Sequence, residues 1–390
     1  MPYDFENYIP RLDGGSFKWD DMLRKKPDVD PTVIPFSVAD MELPNPPEIV
    51  AGLKEFLDSA ILGYAGRYPG YMDSIKNWLA DRHGWEITDS WLVETNGVVP
   101  ALFSAVTAYT EPGDGVIVLT PVYYPFFAAI TTNSRSIVEV PLQCTQQRRY
   151  EIDFSLLEKA ASESRNKLLI LCNPHNPVGR VWRRDELEKV ADICLRHGVF
   201  ILSDEIHSDL IMPGNRHIPF AILGSQYLDN CLVAMAPSKT FNLAGVQSSY
   251  LLIPDRARRK KFEKERSKAG LIHNNIFAYK ATEIAYTRCA EWLSELIALI
   301  DHNFKTLKCF MAEKFSDVYV HDLEGTYLAW LDFRKWGMDP ADLEKFMINE
   351  CSLFLDEGYI FGDGGKGFER FNIACPTHKL LEGLERLHRP

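Results

Sequence analysis

Lys167-Leu-Leu-Ile-Leu-Cys172 and Val199-Phe-Ile-Leu-Ser203 are two short apolar runs, and Asp185-Glu-Leu-Glu-Lys-Val-Ala-Asp-Ile-Cys-Leu-Arg-His197-Gly198 lies between them. Each run is apolar on successive residues, which suits a strand buried on both faces in a parallel sheet flanked by helices. The intervening segment carries acids in its first turn and bases in its last, the order that complements a helix dipole, and Gly198 provides a stop. Strand, helix, glycine and strand together read as a βαβ unit.

Working outward, Gly115-Val-Ile-Val-Leu119 and Cys231-Leu-Val-Ala-Met235 repeat the strand signal. Residues 47–285 therefore read as a large α/β domain, doubly wound around a mostly parallel sheet. Past residue 285 the pattern changes. A leucine-spaced helix (Glu291–Phe310) precedes Thr326-Tyr-Leu-Ala-Trp-Leu-Asp-Phe333, a strand with aromatic alternation. Residues 286–390 read as a smaller α+β domain. Residues 1–46, rich in Asp, Pro and Gly, read as an extended arm that packs on another part of the molecule and is grouped with that domain.

The chain has 390 residues, 46% hydrophobic and 25% charged, which is ordinary globular composition and long enough for a sizeable core. Forty-three basic and 54 acidic residues leave a net charge of −11. That balance argues against a sequence-independent nucleic-acid binder, which needs clustered positive charge. No uninterrupted apolar stretch is long enough to span a bilayer, and Met1-Pro-Tyr-Asp-Phe-Glu-Asn-Tyr8 is too polar for a signal peptide. None of the 8 cysteines forms a CxxC pair, so zinc-ribbon and redox-dithiol readings fail and no metal is expected. They read as small buried hydrophobes in a reducing compartment, with a cytoplasmic address expected.

In open parallel sheets, ligands bind beyond the carboxyl ends of the strands. Thr-Pro-Val-Tyr123-Tyr124-Pro-Phe follows Leu119, and Asn173-Pro-His-Asn176-Pro-Val-Gly179 follows Cys172. Ser-Asp204-Glu-Ile-His207 follows Leu202, and Ala-Pro-Ser238-Lys239-Thr-Phe-Asn242 follows Met235. Ahead of the first run, Asn96-Gly97-Val98-Val99-Pro100 leads into an expected helix over Ala101–Tyr109, and a glycine-opened helix start offers free amides to a phosphate. A phosphate cradle, a stacking ring, a carboxylate, an amide and a lone lysine are what a pyridine-aldehyde phosphate requires.

Asn-Pro-His-Asn-Pro-Val-Gly, Ser-Asp-Glu-Ile-His and Ala-Pro-Ser-Lys-Thr-Phe-Asn resemble the fold-type-I pyridoxal-phosphate enzymes. Lys18-Trp-Asp20, Ser37-Val-Ala-Asp-Met41, Pro121-Val-Tyr-Tyr-Pro-Phe126 and Phe361-Gly-Asp-Gly-Gly-Lys-Gly-Phe-Glu-Arg370 narrow the resemblance to the cystathionine β-lyase and cysteine C–S lyase branch. The similarity runs from Tyr3 to about residue 388, and the ordered set is far more specific than any one motif. It implies pyridoxal 5'-phosphate as cofactor and the fold-type-I transferase fold.

It also implies residue roles. Lys239 is the Schiff-base lysine and Cα proton shuttle, and Asp204 is the partner of the pyridinium nitrogen. Asn176 bonds the phenolic oxygen, with His207 where many aminotransferases place a tyrosine. Tyr123 is the stacking ring, and Tyr124 a phosphate or leaving-group contact beside it. Gly97, Val98 and Val99 are the phosphate amides, with Ser238 as helper. Arg370 grips the substrate α-carboxylate, which Tyr124 and Asn176 also approach. Tyr64, in Leu62-Gly-Tyr-Ala-Gly66, reaches the phosphate of a neighbouring subunit, implying a homodimer with shared active sites. Aminotransferases carry a phosphate-pairing arginine eight residues after the lysine; Gln247 stands there instead, which favours the lyase branch.

The activity so implied is α,β-elimination from small sulfur-substituted amino acids, giving pyruvate, ammonia and a thiol or sulfide. Transamination uses the same residues and stays open, as does a non-catalytic regulatory protein on the same fold. Plainer readings also stand: a core histidine at 207, a structural ion pair at Arg370, and mere packing at Tyr64 and Tyr124. Gly362-Asp-Gly364-Gly-Lys-Gly367 fits GxGxxG, but a strand-like segment follows it where a nucleotide site needs a helix, so it reads as a turn. Arg256-Ala-Arg-Arg-Lys-Lys261 reads as a solvated helix face.

Overall fold

The computed structural model describes residues 3–12 and 14–390, so the polar start read over Met1–Tyr8 is described from Tyr3 onward. The described residues form thirteen strands: β1 (Leu92–Thr95), β2 (Gly115–Thr120), β3 (Ser136–Pro141), β4 (Gln143–Cys144), β5 (Tyr150–Glu151), β6 (Asn166–Cys172), β7 (Phe200–Asp204), β8 (Cys231–Met235), β9 (Ser249–Leu252), β10 (Tyr319–Val320), β11 (Leu328–Asp332), β12 (Asp356–Glu357) and β13 (Phe368–Asn372). Seven build one sheet in the order β1-β9-β8-β7-β6-β2-β3. Strands β3, β2, β6, β7 and β8 run parallel, and β9 is antiparallel to both β8 and β1.

The apolar runs work as expected of strands buried on both faces. Ile117, Leu169, Leu171, Ile201 and Val233 enter one hydrophobic cluster, with Leu187, Val190 and Cys194 of the helix Arg184–His197. Their chain neighbours Val116, Leu168, Ile170, Leu202 and Leu232 enter a second cluster, with Leu102, Ala105 and Val106 of the helix Val98–Tyr109. Burying each such aliphatic side chain contributes roughly 1.5–3 kcal/mol, so the sheet centre is a rigid platform. Gly198 ends the helix Arg184–His197 in the left-handed conformation, φ +69°. In the parallel register Cys172 faces Asp204 and Asp204 faces Ala234, which brings three strand exits level.

A second, antiparallel sheet has the order β10-β11-β13-β12. The N-terminal segment is laced to its edge: Phe36 N–H donates to Phe354 O (2.8 Å), Asn372 N–H to Phe36 O (2.9 Å) and Glu42 N–H to Ala374 O (2.9 Å). The arm is not wholly extended, however. Phe17–Lys25 is a helix, with Lys18 and Trp19 buried against Glu42 through a 2.9 Å ion pair and an indole N–H bond of 3.1 Å. A tertiary anion that stabilises a buried lysine leaves no periodic signature in a nine-residue helix.

One further expectation changes and one is kept. The helix expected over Ala101–Tyr109 begins at Val98, because Pro100 sits in its first turn, where a missing N–H leaves no helical hydrogen bond unmade. The glycine-rich segment forms short 3₁₀ turns, Gly358–Phe361 and Asp363–Gly365, followed by β13, in keeping with the turn reading.

Candidate active site

Beyond the ends of β1, β6, β7 and β8 lies a cavity of about 250 Å³, lined among others by Gly97, Val98, Val99, Tyr123, Asn176, Asp204, His207, Ser238 and Lys239. The residues named here come from five separate segments, whose strand exits the register brings together; Ala39 and Gln247 add two more stretches to the lining.

At the helix N-terminus, Gly97 has φ +103° and ψ 151°, a region essentially reserved for glycine. Its N–H is not free, since it donates to Ser249 Oγ at 2.9 Å. Of the three amides expected to meet a phosphate, those of Val98 and Val99 find no acceptor among the described residues. Ser249 on β9 went unnoticed in the sequence, because the bond joins residues 152 positions apart. Gln247, also in the lining, occupies the left-handed region at φ +55°.

Asp204 ends β7, buried, and among the described residues its carboxyl accepts one hydrogen bond, from Ile206 N–H to Oδ1 at 3.2 Å. Burial pushes its carboxyl up to about 7, the Ile206 amide only partly opposing that. His207 is buried too, and its Nδ1 has no partner among the described residues. Burial, then the nearby Lys239 and Arg370 cations, hold this imidazole well below its usual range, so it is neutral. Its ring meets Tyr327 edge-on at 5.9 Å.

Lys239 follows β8, and its Nζ donates to the Ala39 carbonyl at 2.6 Å. Burial lowers the amine to about 8, Arg370 adding to the effect while Asp40 and Asp204 oppose it. Asn242 holds the lysine loop against the arm: its Oδ1 accepts from Met41 N–H at 3.0 Å and its Nδ2 donates to Met41 O at 3.1 Å.

Asn176 N–H donates to Cys172 Sγ at 3.4 Å, which curls the β6 exit back over the strand. Asn176 Oδ1 accepts from Arg370 Nη1 at 2.9 Å. The oxygen is thereby fixed on the guanidinium, and the amide's two N–H donors face elsewhere. Arg370 sits behind Asn176, fully buried, paired with Asp356 and stacked 4.8 Å over Phe361. Its Nε has no partner among the described residues. Tyr124, partly exposed, is not among the residues lining the cavity; its ring lies 5.5 Å from that of Tyr123 and 5.9 Å from Phe361. Tyr64 is not brought to this cavity; it is fully exposed, with Ile61 and Leu62, between the helices Pro47–Leu57 and Pro69–His83.

A pyridine-aldehyde phosphate fits these residues. Among the described residues, the buried Asp204 carboxyl has no cation bonded to it, the buried His207 Nδ1 has no partner, and two amides at the helix start have no acceptor.

The model of the aminotransferase class I and II family matches residues 31–387, and the chain belongs to that family. Cystathionine beta-lyase PatB of Bacillus subtilis (strain 168) is 41% identical over 384 residues, 98% of each chain. Cystalysin from Treponema denticola, whose crystal structure contains pyridoxal 5'-phosphate, superposes with a TM-score of 0.97 at 47% identity, over 99% of this chain and 98% of that one. The pyridoxal-phosphate-bound C–S lyase of Staphylococcus hominis gives a TM-score of 0.91 at 29% identity, over 98% and 97%.

Proposed function

We propose that Lys239, Asp204, Asn176, His207, Tyr123, Ser238 and the Val98–Val99 amides hold pyridoxal 5'-phosphate, and that Arg370 receives the carboxylate of a sulfur-substituted amino acid. The chain is a pyridoxal-phosphate-dependent C–S lyase on the fold-type-I scaffold. The observation that carries the residue assignment is one cavity lined by both the Asp204 carboxyl, which meets a backbone amide and no cation among the described residues, and the Lys239 amine, which meets a backbone carbonyl; burial raises the first and lowers the second.

When bound, the cofactor supplies an electron-withdrawing ring that takes up the charge left when a substrate Cα–H bond breaks. Asp204 would keep the ring nitrogen protonated, the one hydrogen-bond donor to its carboxyl among the described residues being the Ile206 amide. Asn176, with Oδ1 committed to Arg370, would offer its N–H donors to the phenolic oxygen. Neutral His207 would serve the same oxygen, and Tyr123 would supply the stacking ring. Lys239 Nζ, with an acidity near neutral pH, takes the proton from Cα and can return it to the departing sulfur. Arg370 orients the Cα–H bond by holding the carboxylate. The apolar neighbours Ile206, Cys172 and Ala39 keep water from the reacting atoms.

The same proposal includes a homodimer in which Tyr64 enters the partner's phosphate site. Supporting it are the exposed Ile61, Leu62 and Tyr64 on one loop and a phosphate cradle with only two free amides. Tyr64→Ala should then weaken cofactor retention although residue 64 is far from its own cavity. Division into a large domain (47–285) and an N-terminal arm with a small domain (1–46 and 286–390) fits the two sheets and the lacing of residues 36–42 to the second. A cytoplasmic address is supported by eight free cysteines, six of them buried; among the described residues no helix is long and apolar enough to cross a membrane.

Incubation of the cofactor-loaded enzyme with S-substituted L-cysteines, without added keto acid, tests the assignment. Pyruvate and a thiol should form, and Lys239→Ala should abolish both. Amino-group transfer to a keto acid in place of pyruvate release would move the chain to the aminotransferase reading.

A further inference from the structure

Arg370 and Asp356 are cross-strand partners in the β12–β13 register, and Arg370 Nη2 donates to Asp356 Oδ2. The same oxygen accepts a second hydrogen bond, from Val38 N–H at 2.8 Å. Val38 has φ +54°, where a β-branched residue is a genuine outlier and persists only when its surroundings over-determine it. They do. Asn372 Nδ2 donates to Val38 O at 2.8 Å and to Asp40 O at 2.9 Å, and Asp40 N–H returns to Val38 O at 2.9 Å. The turn so held aims the next carbonyl, Ala39 O, at Lys239 Nζ, 2.6 Å away. Asp356, Arg370 and Asn372 are all buried, so water does not dilute the connection.

We propose that Asp356 is a positioning residue that couples the grip of Arg370 on the substrate carboxylate to the placement of the Lys239 amine, through the left-handed turn at Val38. One carboxylate oxygen is shared by two donors. A substrate carboxylate arriving at Arg370 competes with Asp356 for the guanidinium, leaving more of that oxygen to Val38 N–H. The turn tightens, and Ala39 O holds the amine in place when a correctly seated amino acid presents its Cα proton. This rests on the reading of Arg370 and Lys239 given above.

The test compares wild type with Asp356→Asn and Val38→Gly, the second of which relaxes the turn but keeps the Arg370–Asp356 pair. On cofactor-loaded enzyme, kcat, KM and the isotope effect with Cα-deuterated S-methyl-L-cysteine are measured. On cofactor-free full-length protein, acylation of Lys239 is timed by peptide mass spectrometry. Asp356→Asn should lose about tenfold in kcat, as expected for a disturbed hydrogen bond to a charged group; Val38→Gly, which keeps the backbone N–H but gives the turn more conformational freedom, should lose a smaller, several-fold amount, and both should show a larger isotope effect. In Val38→Gly KM should stay within about twofold, since the ion pair is intact. Lys239 should acylate several-fold faster in both variants, its carbonyl partner being loosened. A rise in KM for Asp356→Asn, with kcat, isotope effect and labelling unchanged, would overturn the coupling and leave Asp356 as an anchor for Arg370. If Asp356→Asn does not fold, unchanged kcat and labelling in Val38→Gly overturn it alone. Should wild type release no pyruvate while labelling still accelerates in both variants, the lyase assignment fails and the Asp356–Val38–Lys239 connection stands.

Discussion

Asn176 and Arg370 are joined by a 2.9 Å hydrogen bond across 194 residues of sequence, the amide oxygen accepting from guanidinium Nη1. The bond ties the exit of β6 to β13, and so ties the proposed cofactor contact to the proposed carboxylate contact. Asn176→Ala should disturb both. Loss of a buried bond to a charged group costs about 1.5–3 kcal/mol, so kcat/KM should fall roughly 10- to 150-fold, with cofactor binding also weakened. Steady-state kinetics and cofactor titration check this; an effect on KM alone would separate the two roles.

Asp204 predicts a pH signature in the cofactor-free protein. Its carboxyl rises from an ordinary 3.8 to about 7 on folding, chiefly through burial. The native state then binds more protons than the unfolded one between those values, and stability falls as pH climbs through that window. Asp204→Asn removes the titration. The variant's melting-temperature advantage should be small near pH 4, grow to about pH 7 and level off above; a gap independent of pH would contradict the assignment. In the loaded enzyme the same variant should lose on the order of 10²-fold or more in kcat, because an amide cannot keep the ring nitrogen protonated.

Lys239 predicts the opposite slope. Burial lowers its amine from 10.5 to about 8. The native state binds fewer protons between those values, so wild-type stability rises across that window as pH increases. Cofactor-free Lys239→Met should be the more stable protein below about pH 8, and the difference should close toward pH 10.5. Thermal melts across that range measure it, and an unchanging difference would show that the amine is not desolvated.

Gln247 predicts a gain. It lines the cavity with Val98 and Val99 but carries no charge. Gln247→Arg should tighten cofactor binding, by about tenfold if one charge-assisted bond to the phosphate forms. Fluorescence titration reads the change, and equal or weaker binding would place the phosphate elsewhere.

Much of the sheet was legible because its central strands are buried on both faces, which writes unbroken apolar runs at β2, β6, β7 and β8. Strand β3, at the sheet edge with Ser136 and Glu139 exposed, carries no such run, and antiparallel β9 is only four residues long. At the site, Lys239, Asp204, Asn176 and Tyr123 could be singled out because each follows a readable strand, and the structure brings all four to one cavity. What was not readable is set by long-range contact. Ser249 takes the Gly97 amide, Asp356 pairs with Arg370, and Ala39 accepts from Lys239 across 200 residues. Ala39 lay inside a quoted motif, but nothing local showed that its carbonyl faces the amine. The start of the helix Val98–Tyr109 was misplaced because Pro100 looks like a boundary from outside and sits comfortably in a first turn.

The central claim is that the amine of residue 239 carries the cofactor. Borohydride reduction of the loaded enzyme, followed by proteolysis and mass spectrometry, tests it most directly. The account predicts a pyridoxyl-phosphate adduct on the peptide containing Lys239 and its absence in Lys239→Ala. An adduct on a different lysine, or no adduct on a protein that still releases pyruvate, would contradict it.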